Sequence, residues 1–180
     1  MASSRKLGAH QLVNQDSGDT EYYTPGFIVE AARRVMGGID LDPFSSAAAN
    51  MLVQAGKFFT KEEDGLSRGW FGRFWMNHPF GRAMNHLCIQ KAEHEYRSWG
   101  GDRSRNLVGC CITFAATSEK WFAPLLRRPQ CYLSPRTNYY LPDGSLKRGV
   151  TKGSVVTYFG TDVAAFAREF SPFGVVKVMV

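Results

Sequence analysis

The sequence lacks the features that mark membrane proteins, secreted proteins and zinc proteins. No apolar run approaches the about 18 residues that a membrane helix needs, and the N-terminus has no apolar signal-peptide core. The four cysteines form no Cys-x-x-Cys pair, and Cys88 with His86 and His94 does not have the spacing of a structural zinc site. We therefore expect a cytoplasmic protein with free, buried thiols, no membrane association and no metal.

The composition indicates one folded domain with a basic surface. With 180 residues, of which 44% are hydrophobic, the chain is long enough to bury a core that needs no disulfide. Lysine and arginine total 22 against 16 acidic residues, and the net charge of +6 suits a polyanion such as nucleic acid. We expect residues 1–20, which are rich in small polar side chains, to form a flexible arm and residues 21–180 to form a single domain.

Predicted strands alternate with predicted helices through most of the chain. Strands are expected at 39–43, 58–59, 74–76, 107–114, 131–133, 155–159 and 174–180. Helices are expected to start at Thr24-Pro25, at Ser45 or Ser46, at residue 83, at Thr117 or Ser118, and at residue 162. The turn signal Pro142-Asp143-Gly144 predicts a late hairpin. This order predicts an α/β fold whose sheet is mostly parallel, with the hairpin as its antiparallel edge.

Polar side chains stand at the ends of the first three predicted strands. Asp40 and Asp42 end the first strand, Asp64 follows the second, and Asn77 ends the third. Ligands of open α/β sheets bind beyond the carboxyl ends of the strands, where an acid can accept hydrogen bonds from both ribose hydroxyls of a nucleoside cofactor. The structural alternatives are a charge at a helix N-terminus for Asp42 and a solvated loop acid for Asp64.

The run Asn77-His78-Pro79-Phe80 carries the most specific chemistry. The Asn77 side-chain oxygen and the main-chain carbonyl of His78 are two acceptors for the hydrogens of an aromatic amine, whose lone pair is otherwise delocalised into its ring. Pro79 stiffens the loop, and Phe80 offers an aromatic face for a base flipped out of a duplex. The structural alternative is a strand that ends in a turn, with Phe80 in the core.

Several spaced motifs between about residues 20 and 160 resemble one enzyme family, the phage-type DNA adenine-N6 methyltransferases (Dam-like). They are Glu21-Tyr-Tyr-Thr-Pro25, Gly38-Ile-Asp-Leu-Asp-Pro43, Asn50, Phe59-Thr60, Asp64-Gly65-Leu66, Trp70, Trp75-Met-Asn-His-Pro-Phe80, Thr117-x-x-x-Trp121-Phe122 and Ser154 to Gly160. The last four residues of the Trp75 motif, Asn77-His78-Pro79-Phe80, are a variant of (Asn/Asp/Ser)-Pro-Pro-(Tyr/Phe).

The resemblance implies a Rossmann-like fold, S-adenosylmethionine as methyl donor, double-stranded DNA as substrate and adenine N6 as acceptor. It also implies that Asp40 binds the cofactor ribose, with Asp42 as the alternative, that Asp64 lies near the cofactor adenine, and that Thr24 and Pro25 lie beside the methionine moiety. Protection of phage DNA from restriction, in the cytoplasm of a bacterial host, is the role it suggests.

Two departures from the family pattern leave alternatives open. His78 stands where the family has its first Pro, which removes rigidity from the loop and adds a group that titrates near about pH 6.5. The chain also lacks a Gly-x-Gly loop. Three interpretations of His78 stay open: the enzyme tolerates it, it alters which base the enzyme accepts, or it marks a site that has lost its activity. The competing functions are therefore cytosine-N4 methylation, a catalytically decayed relic that binds DNA or cofactor, and methylation of an RNA or protein amine.

Contacts to DNA are expected from the late hairpin and its surroundings. The candidates are Arg136, Tyr139, Lys147, Arg148 and Lys152, with Arg127-Arg128 and Tyr140 as further possibilities. The alternative is a solvated edge hairpin whose charges prevent aggregation. Because the chain has little room for a separate target-recognition domain, we expect short or relaxed sequence specificity. The sequence leaves the oligomeric state open between monomer and homodimer.

Overall fold

The structure is a computed structural model that describes residues 22–99 and 107–178. Its nine strands are β1 Leu41–Asp42, β2 Lys57–Phe58, β3 Arg73–Met76, β4 Val108–Phe114, β5 Gln130–Leu133, β6 Tyr139–Tyr140, β7 Leu146–Lys147, β8 Ser154–Phe159 and β9 Gly174–Lys177. Its helices are α1 Gly26–Met36, α2 Ala47–Val53, α3 Arg82–Trp99 and α4 Val163–Phe170, with 3-10 helices at Lys120–Arg127 and Ser171–Phe173. The predicted arm at 1–20 lies outside the described residues.

Seven strands form one mixed sheet in the order β2-β1-β3-β4-β8-β5-β9. The first four strands are parallel, with Leu41 of β1 opposite Lys57 of β2 and Phe74 of β3. The carboxyl ends of β1 and β3 therefore lie side by side at one edge of the sheet. This confirms the α/β class and brings the residues that follow these two strands together, as the strand-end pattern predicts.

The prediction that the hairpin forms the antiparallel edge of the sheet is wrong. The antiparallel part consists of β8, β5 and β9, since β8 pairs antiparallel with both β4 and β5, and β9 pairs antiparallel with β5. The hairpin β6–β7 is a separate two-stranded sheet, and its main chain pairs with Tyr23 through Tyr140. The strand at that end of the sheet is β9, which pairs with β5.

The helix ends follow local signals, with small shifts from the prediction. Ser46 caps α2 by accepting a hydrogen bond from the Ala49 amide at 3.2 Å. Pro25 takes the N-cap position of α1, so the predicted Thr24 cap is one residue too early. Helix α1 ends at Gly37, whose φ of 76° is the left-handed conformation that glycine adopts most easily. The helix predicted from Thr117 or Ser118 is a 3-10 helix that begins at Lys120.

The sheet has a hydrophobic cluster on each face. Alternating residues of the central strands separate into the two clusters: Trp75 and Cys110 pack on the face of α1 and α4, whereas Phe74 and Cys111 pack on the face of α3. All four cysteines are buried and free, as predicted. Within residues 22–99 and 107–178, no helix combines the length and the apolar character needed to cross a bilayer.

Candidate active site

A cavity of about 400 Å³ lies beyond the carboxyl ends of β1 and β3. This volume falls within the range of small-molecule and cofactor sites. The wall is mostly apolar and includes Phe44, Leu52, Val53 and Trp75. Six of the predicted site residues also line it, from four separate segments of the chain: Thr24, Asp42, Asp64, Asn77, His78 and Pro79. The structure therefore brings most of the predicted cofactor and catalytic residues into one place.

Asp42 is the buried carboxyl group of this cavity. It is 2% exposed, and burial raises its pKa to about 7. The Phe44 amide donates to Oδ1 at 3.2 Å, and this hydrogen bond and the Ser45 hydroxyl lower the pKa in part. Within residues 22–99 and 107–178, no cationic side chain pairs with Asp42. A ligand that donates hydrogen bonds to the carboxylate would therefore stabilise its charged form.

Asp40, the residue that the sequence favours for ribose binding, does not line the cavity. Its carboxylate forms a two-pronged ion pair with Arg73, whose Nη2 lies 2.6 Å from Oδ1 and whose Nε lies 2.8 Å from Oδ2. The Arg73 amide also donates to Oδ2 at 2.8 Å. These bonds hold the pKa of Asp40 below its ordinary value. Asp40 therefore links β1 to β3, and of the two acids near β1 it is Asp42 that lines the cavity.

The loop with Asp64 forms one rim of the cavity. Asp64 is exposed, adopts a φ of 53°, and accepts a hydrogen bond from the Leu66 amide at 3.1 Å. Its neighbour Gly65 is buried against Pro43, where an added Cβ would lie 1.9 Å from the Pro43 carbonyl oxygen. The indole of Trp70 donates to the Gly65 carbonyl at 2.9 Å. Close packing at Gly65 thus fixes a rim that presents Asp64 to the cavity.

Asn77 is oriented by the chain segment that precedes α1. Its Nδ2 donates to the main-chain carbonyl of Tyr22. Because the amide nitrogen is the donor in this bond, Oδ1 is the atom that accepts hydrogen bonds. Tyr23, the next residue, exchanges main-chain hydrogen bonds of 2.8 and 2.9 Å with Tyr140 of the hairpin. Residues 22 and 23 therefore link Asn77 to the hairpin, since Tyr22 accepts from the Asn77 side chain and Tyr23 pairs with Tyr140.

His78 is a neutral, buried side chain, contrary to the expectation of a group that titrates near pH 6.5. It is 1% exposed, and burial lowers its pKa to about 4. Its Nε2 lies 2.8 Å from Oδ1 of Asn85. Since an amide oxygen only accepts, Nε2 carries the proton and Nδ1 is an acceptor, which is buried without a partner. Nothing in the sequence pattern indicates Asn85, because the contact depends on how α3 follows the loop.

Phe80 does not line the cavity. It is 9% exposed, and its ring centroid lies 4.5 Å from that of Phe114 and 5.9 Å from that of Tyr139. The Tyr22 ring stacks on it with 6.4 Å between centroids and 23° between planes. Tyr22 therefore covers an aromatic face that the sequence assigns to a flipped base. Pro25 is likewise buried outside the cavity lining, at the start of α1.

Several residues of the cavity wall, Thr24, Trp75 and His78 among them, carry a buried polar atom that has no hydrogen-bond partner within the described part of the chain. In these three residues the atoms are Thr24 Oγ1, Trp75 Nε1 and His78 Nδ1. An unsatisfied buried polar group costs about 1–3 kcal/mol, and native proteins contain few of them. Their concentration around one cavity is typical of a site that a ligand completes. Trp75 is fully buried in the core and also lines the cavity.

The predicted DNA-contact residues fall into two groups. Arg148 and Lys152 are exposed and Lys147 is half-buried, while the exposed Arg136 donates to the carbonyls of Val150 and Thr151 at 3.4 and 3.3 Å. These four cationic side chains lie on or beside the hairpin, which Tyr23 joins to the rim of the cavity. The hairpin thus carries positive charge close to the predicted site.

Tyr139 and Arg128 do not fit the role of surface contacts. Tyr139 is 2% exposed and its hydroxyl lies 2.7 Å from the Ser154 hydroxyl, so the prediction that it stacks on DNA does not agree with its position. Successive strand residues face opposite sides, which places Tyr139 inward and leaves Tyr140 39% exposed. Arg128 is partly buried, pairs with Glu93 at 2.6 and 2.7 Å and packs on the Phe159 ring, so these contacts within the fold already occupy its guanidinium.

The chain matches no known protein-family model, and no curated protein resembles it significantly. The family resemblance of the spaced motifs therefore remains a prediction. A functional assignment must come from the chemistry of the cavity.

Proposed function

We propose that this protein transfers a methyl group from S-adenosylmethionine to the exocyclic N6 amine of adenine in double-stranded DNA. The observation that supports this proposal is the meeting of Asn77, His78 and Asp42 in one cavity at the carboxyl ends of two parallel strands. The cavity combines a buried acid for a nucleoside with an amide and a main-chain carbonyl for an amine. Its volume and mostly apolar wall suit a nucleoside cofactor.

The cofactor-binding residues are Asp42, Thr24 and Asp64. Asp42 takes the role of ribose acceptor in place of Asp40, because the Asp40 carboxylate is already bound to Arg73. The unpartnered hydroxyl of Thr24 and the exposed carboxylate of Asp64 complete the polar part of the wall. Bound S-adenosylmethionine supplies an activated methyl group. The match between the cavity and this cofactor depends on Asp42, because hydrogen bonds from the two ribose hydroxyls would stabilise the Asp42 carboxylate within an apolar wall.

The acceptor residues are Asn77 and His78. Asn77 Oδ1 and the His78 carbonyl accept the two hydrogens of the amine and orient its nitrogen, so proximity and orientation supply most of the rate enhancement. The methylated amine is acidic and loses its extra proton to solvent during or after transfer, so no strong general base is needed, and the neutral His78 side chain supplies none at pH 7. Stacking of a flipped adenine on Phe80 requires the Tyr22 ring to move away. Lys147, Arg148, Lys152 and Arg136 supply phosphate contacts.

One observation favours a second function. Tyr22 covers the Phe80 face on which a base would stack, and an arrangement that stays closed would bind the cofactor without transferring a methyl group. This second candidate is a catalytically decayed protein that binds cofactor or DNA. Cytosine-N4 methylation uses the same two acceptors and therefore differs from the first proposal only in the identity of the product.

The proposal is tested by incubating the protein with labelled S-adenosylmethionine and unmodified DNA and resolving the digested nucleosides by mass spectrometry. We expect N6-methyladenine, with Asn77→Ala and Phe80→Ala losing most transfer while retaining cofactor binding. N4-methylcytosine as the product would mean that the enzyme methylates cytosine instead of adenine. RNA is offered as a substrate in a parallel reaction. Cofactor binding without a methylated product from either nucleic acid would overturn the proposal and favour the decayed protein.

A further inference from the structure

The loop between β3 and α3 is held by a side-chain contact at the position where the resembling motif has Pro. The His78 imidazole donates from Nε2 to Oδ1 of Asn85 over 2.8 Å. Both side chains are buried, at 1% and 8% exposure. A Pro would restrict the backbone directly through its ring. At position 78 that ring is absent, and a buried hydrogen bond stands in the same place.

Aromatic rings confine the imidazole in addition to this hydrogen bond. The Phe80 ring lies edge-on at 5.7 Å between centroids and 81° between planes, and the Phe44 ring lies at 6.4 Å and 65°. Phe44 belongs to the cavity wall after β1, whereas Phe80 belongs to the same loop as His78. The imidazole therefore connects the loop to the neighbouring wall as well as to α3.

Asn85 is a rigid anchor because its own backbone is part of α3. Its main-chain amide donates to the Gly81 carbonyl at 2.9 Å, within the first turn of a helix of 18 residues. A contact made from a packed helix positions its partner more accurately than one made from a loop. The side chain of Asn85 is not part of the cavity lining, so it acts on the site only through His78.

We propose that Asn85 is a positioning residue, which holds His78 so that Asn77 and the His78 carbonyl keep the geometry needed to accept an amine. This inference rests on the proposed function and identifies the structural feature that replaces the missing Pro. It also explains how His78 is tolerated at this position. Catalysis then depends on a residue seven positions along the chain that the motif does not contain.

A double-mutant cycle with His78→Pro tests this role. In the natural protein, Asn85→Ala is expected to lower kcat by about tenfold, the scale of one lost buried hydrogen bond, with little change in KM for the cofactor. In the His78→Pro background, Asn85→Ala is expected to change kcat by less than about twofold, because no imidazole remains to be held. Equal losses in the two backgrounds would overturn the proposal.

Two further variants separate positioning from a general loss of stability. Gln90→Ala removes an exposed side chain from the same helix and is expected to leave kcat and the melting temperature unchanged. Asn85→Asp keeps an acceptor for Nε2 and is expected to restore most of the kcat that Asn85→Ala loses. A kcat for Asn85→Asp as low as that of Asn85→Ala would contradict the positioning role.

The contact itself is measurable without any activity. Nitrogen-15 NMR of the imidazole, one of four in the chain, should show the Nε2–H tautomer for His78 in the natural protein and a tautomer mixture in Asn85→Ala. An Nδ1–H tautomer in the natural protein would overturn the proposal directly. Absence of methyl transfer with the Nε2–H tautomer present would instead overturn the proposed function, and with it the catalytic consequence of the contact.

Discussion

Replacement of Asp42 by Asn is expected to make the protein more stable and, if the proposed function holds, to weaken its binding of S-adenosylmethionine. Asp42 is buried, no cation among the described residues pairs with it, and burial raises its pKa from 3.8 to about 7. At about 1.4 kcal/mol for each factor of ten in an ionisation constant, this rise corresponds to about 4 kcal/mol against the charged form in the folded protein. Asn has nearly the same shape and keeps an oxygen that can accept from the Phe44 amide, but it carries no charge.

The effect has a definite pH dependence. Because the folded-state pKa is raised, the native state holds its proton more tightly than the unfolded chain between about pH 4 and pH 7. The stability that this proton provides is fully present below the unfolded pKa and is lost as the pH rises through about 7. The free energy of unfolding of Asp42→Asn relative to the natural protein should therefore rise from near zero at pH 4 towards about 4 kcal/mol at pH 8.

Chemical denaturation of the two proteins at several pH values measures this difference, while calorimetric titration with S-adenosylmethionine measures binding. The difference between the two proteins cancels the contributions of the other titrating groups to the extent that they do not interact with Asp42. A difference in unfolding free energy that stays constant from pH 4 to pH 8 would refute the argument from burial. Undiminished cofactor binding by Asp42→Asn would refute the assignment of Asp42 to the cofactor.

Two other substitutions follow from single contacts of the site. Asn77→Asp removes the donor to the Tyr22 carbonyl and places two oxygens against each other. We therefore expect a loss of about 1–3 kcal/mol in unfolding free energy and a loss of methyl transfer. Unchanged stability together with unchanged methyl transfer would contradict the orientation of the Asn77 amide. Gly65→Ala would place a Cβ 1.9 Å from the Pro43 carbonyl oxygen and should lower the free energy of unfolding by about 1–3 kcal/mol. Gly69→Ala is the matched control: a Cβ there has no atom within 4 Å, so the melting temperature should stay unchanged.

Local patterns are sufficient for most of the secondary structure and for part of the site. The apolar runs that end in Asp42 and in Asn77 become neighbouring parallel strands, so their end residues meet at one edge of the sheet. Cys110 and Cys111 face opposite sides because strand residues alternate. The hairpin turn is also local, whereas the surface on which the hairpin packs is not. Its pairing with Tyr23 spans more than a hundred residues of chain.

The choice between the two acids shows where sequence reasoning stops. Asp40 and Asp42 lie two residues apart near one strand and have the same chemistry, so no local rule separates them. Arg73, 33 positions further along the chain, binds the Asp40 carboxylate and leaves Asp42 in the cavity. Tyr22 reaches Asn77 across 55 positions in the same way.

The amino-acid sequence by itself determined the α/β class, the strand ends that carry polar groups and the composition of the loop Asn77-His78-Pro79-Phe80, since these depend on periodicity and on chemistry within a few residues. Tertiary structure alone decided which acid lines the cavity, that Tyr22 covers Phe80, and that Asn85 holds a neutral His78. These outcomes depend on burial and on contacts between distant segments, because the dielectric surroundings and the hydrogen-bond partners of a side chain exist only once the chain has packed.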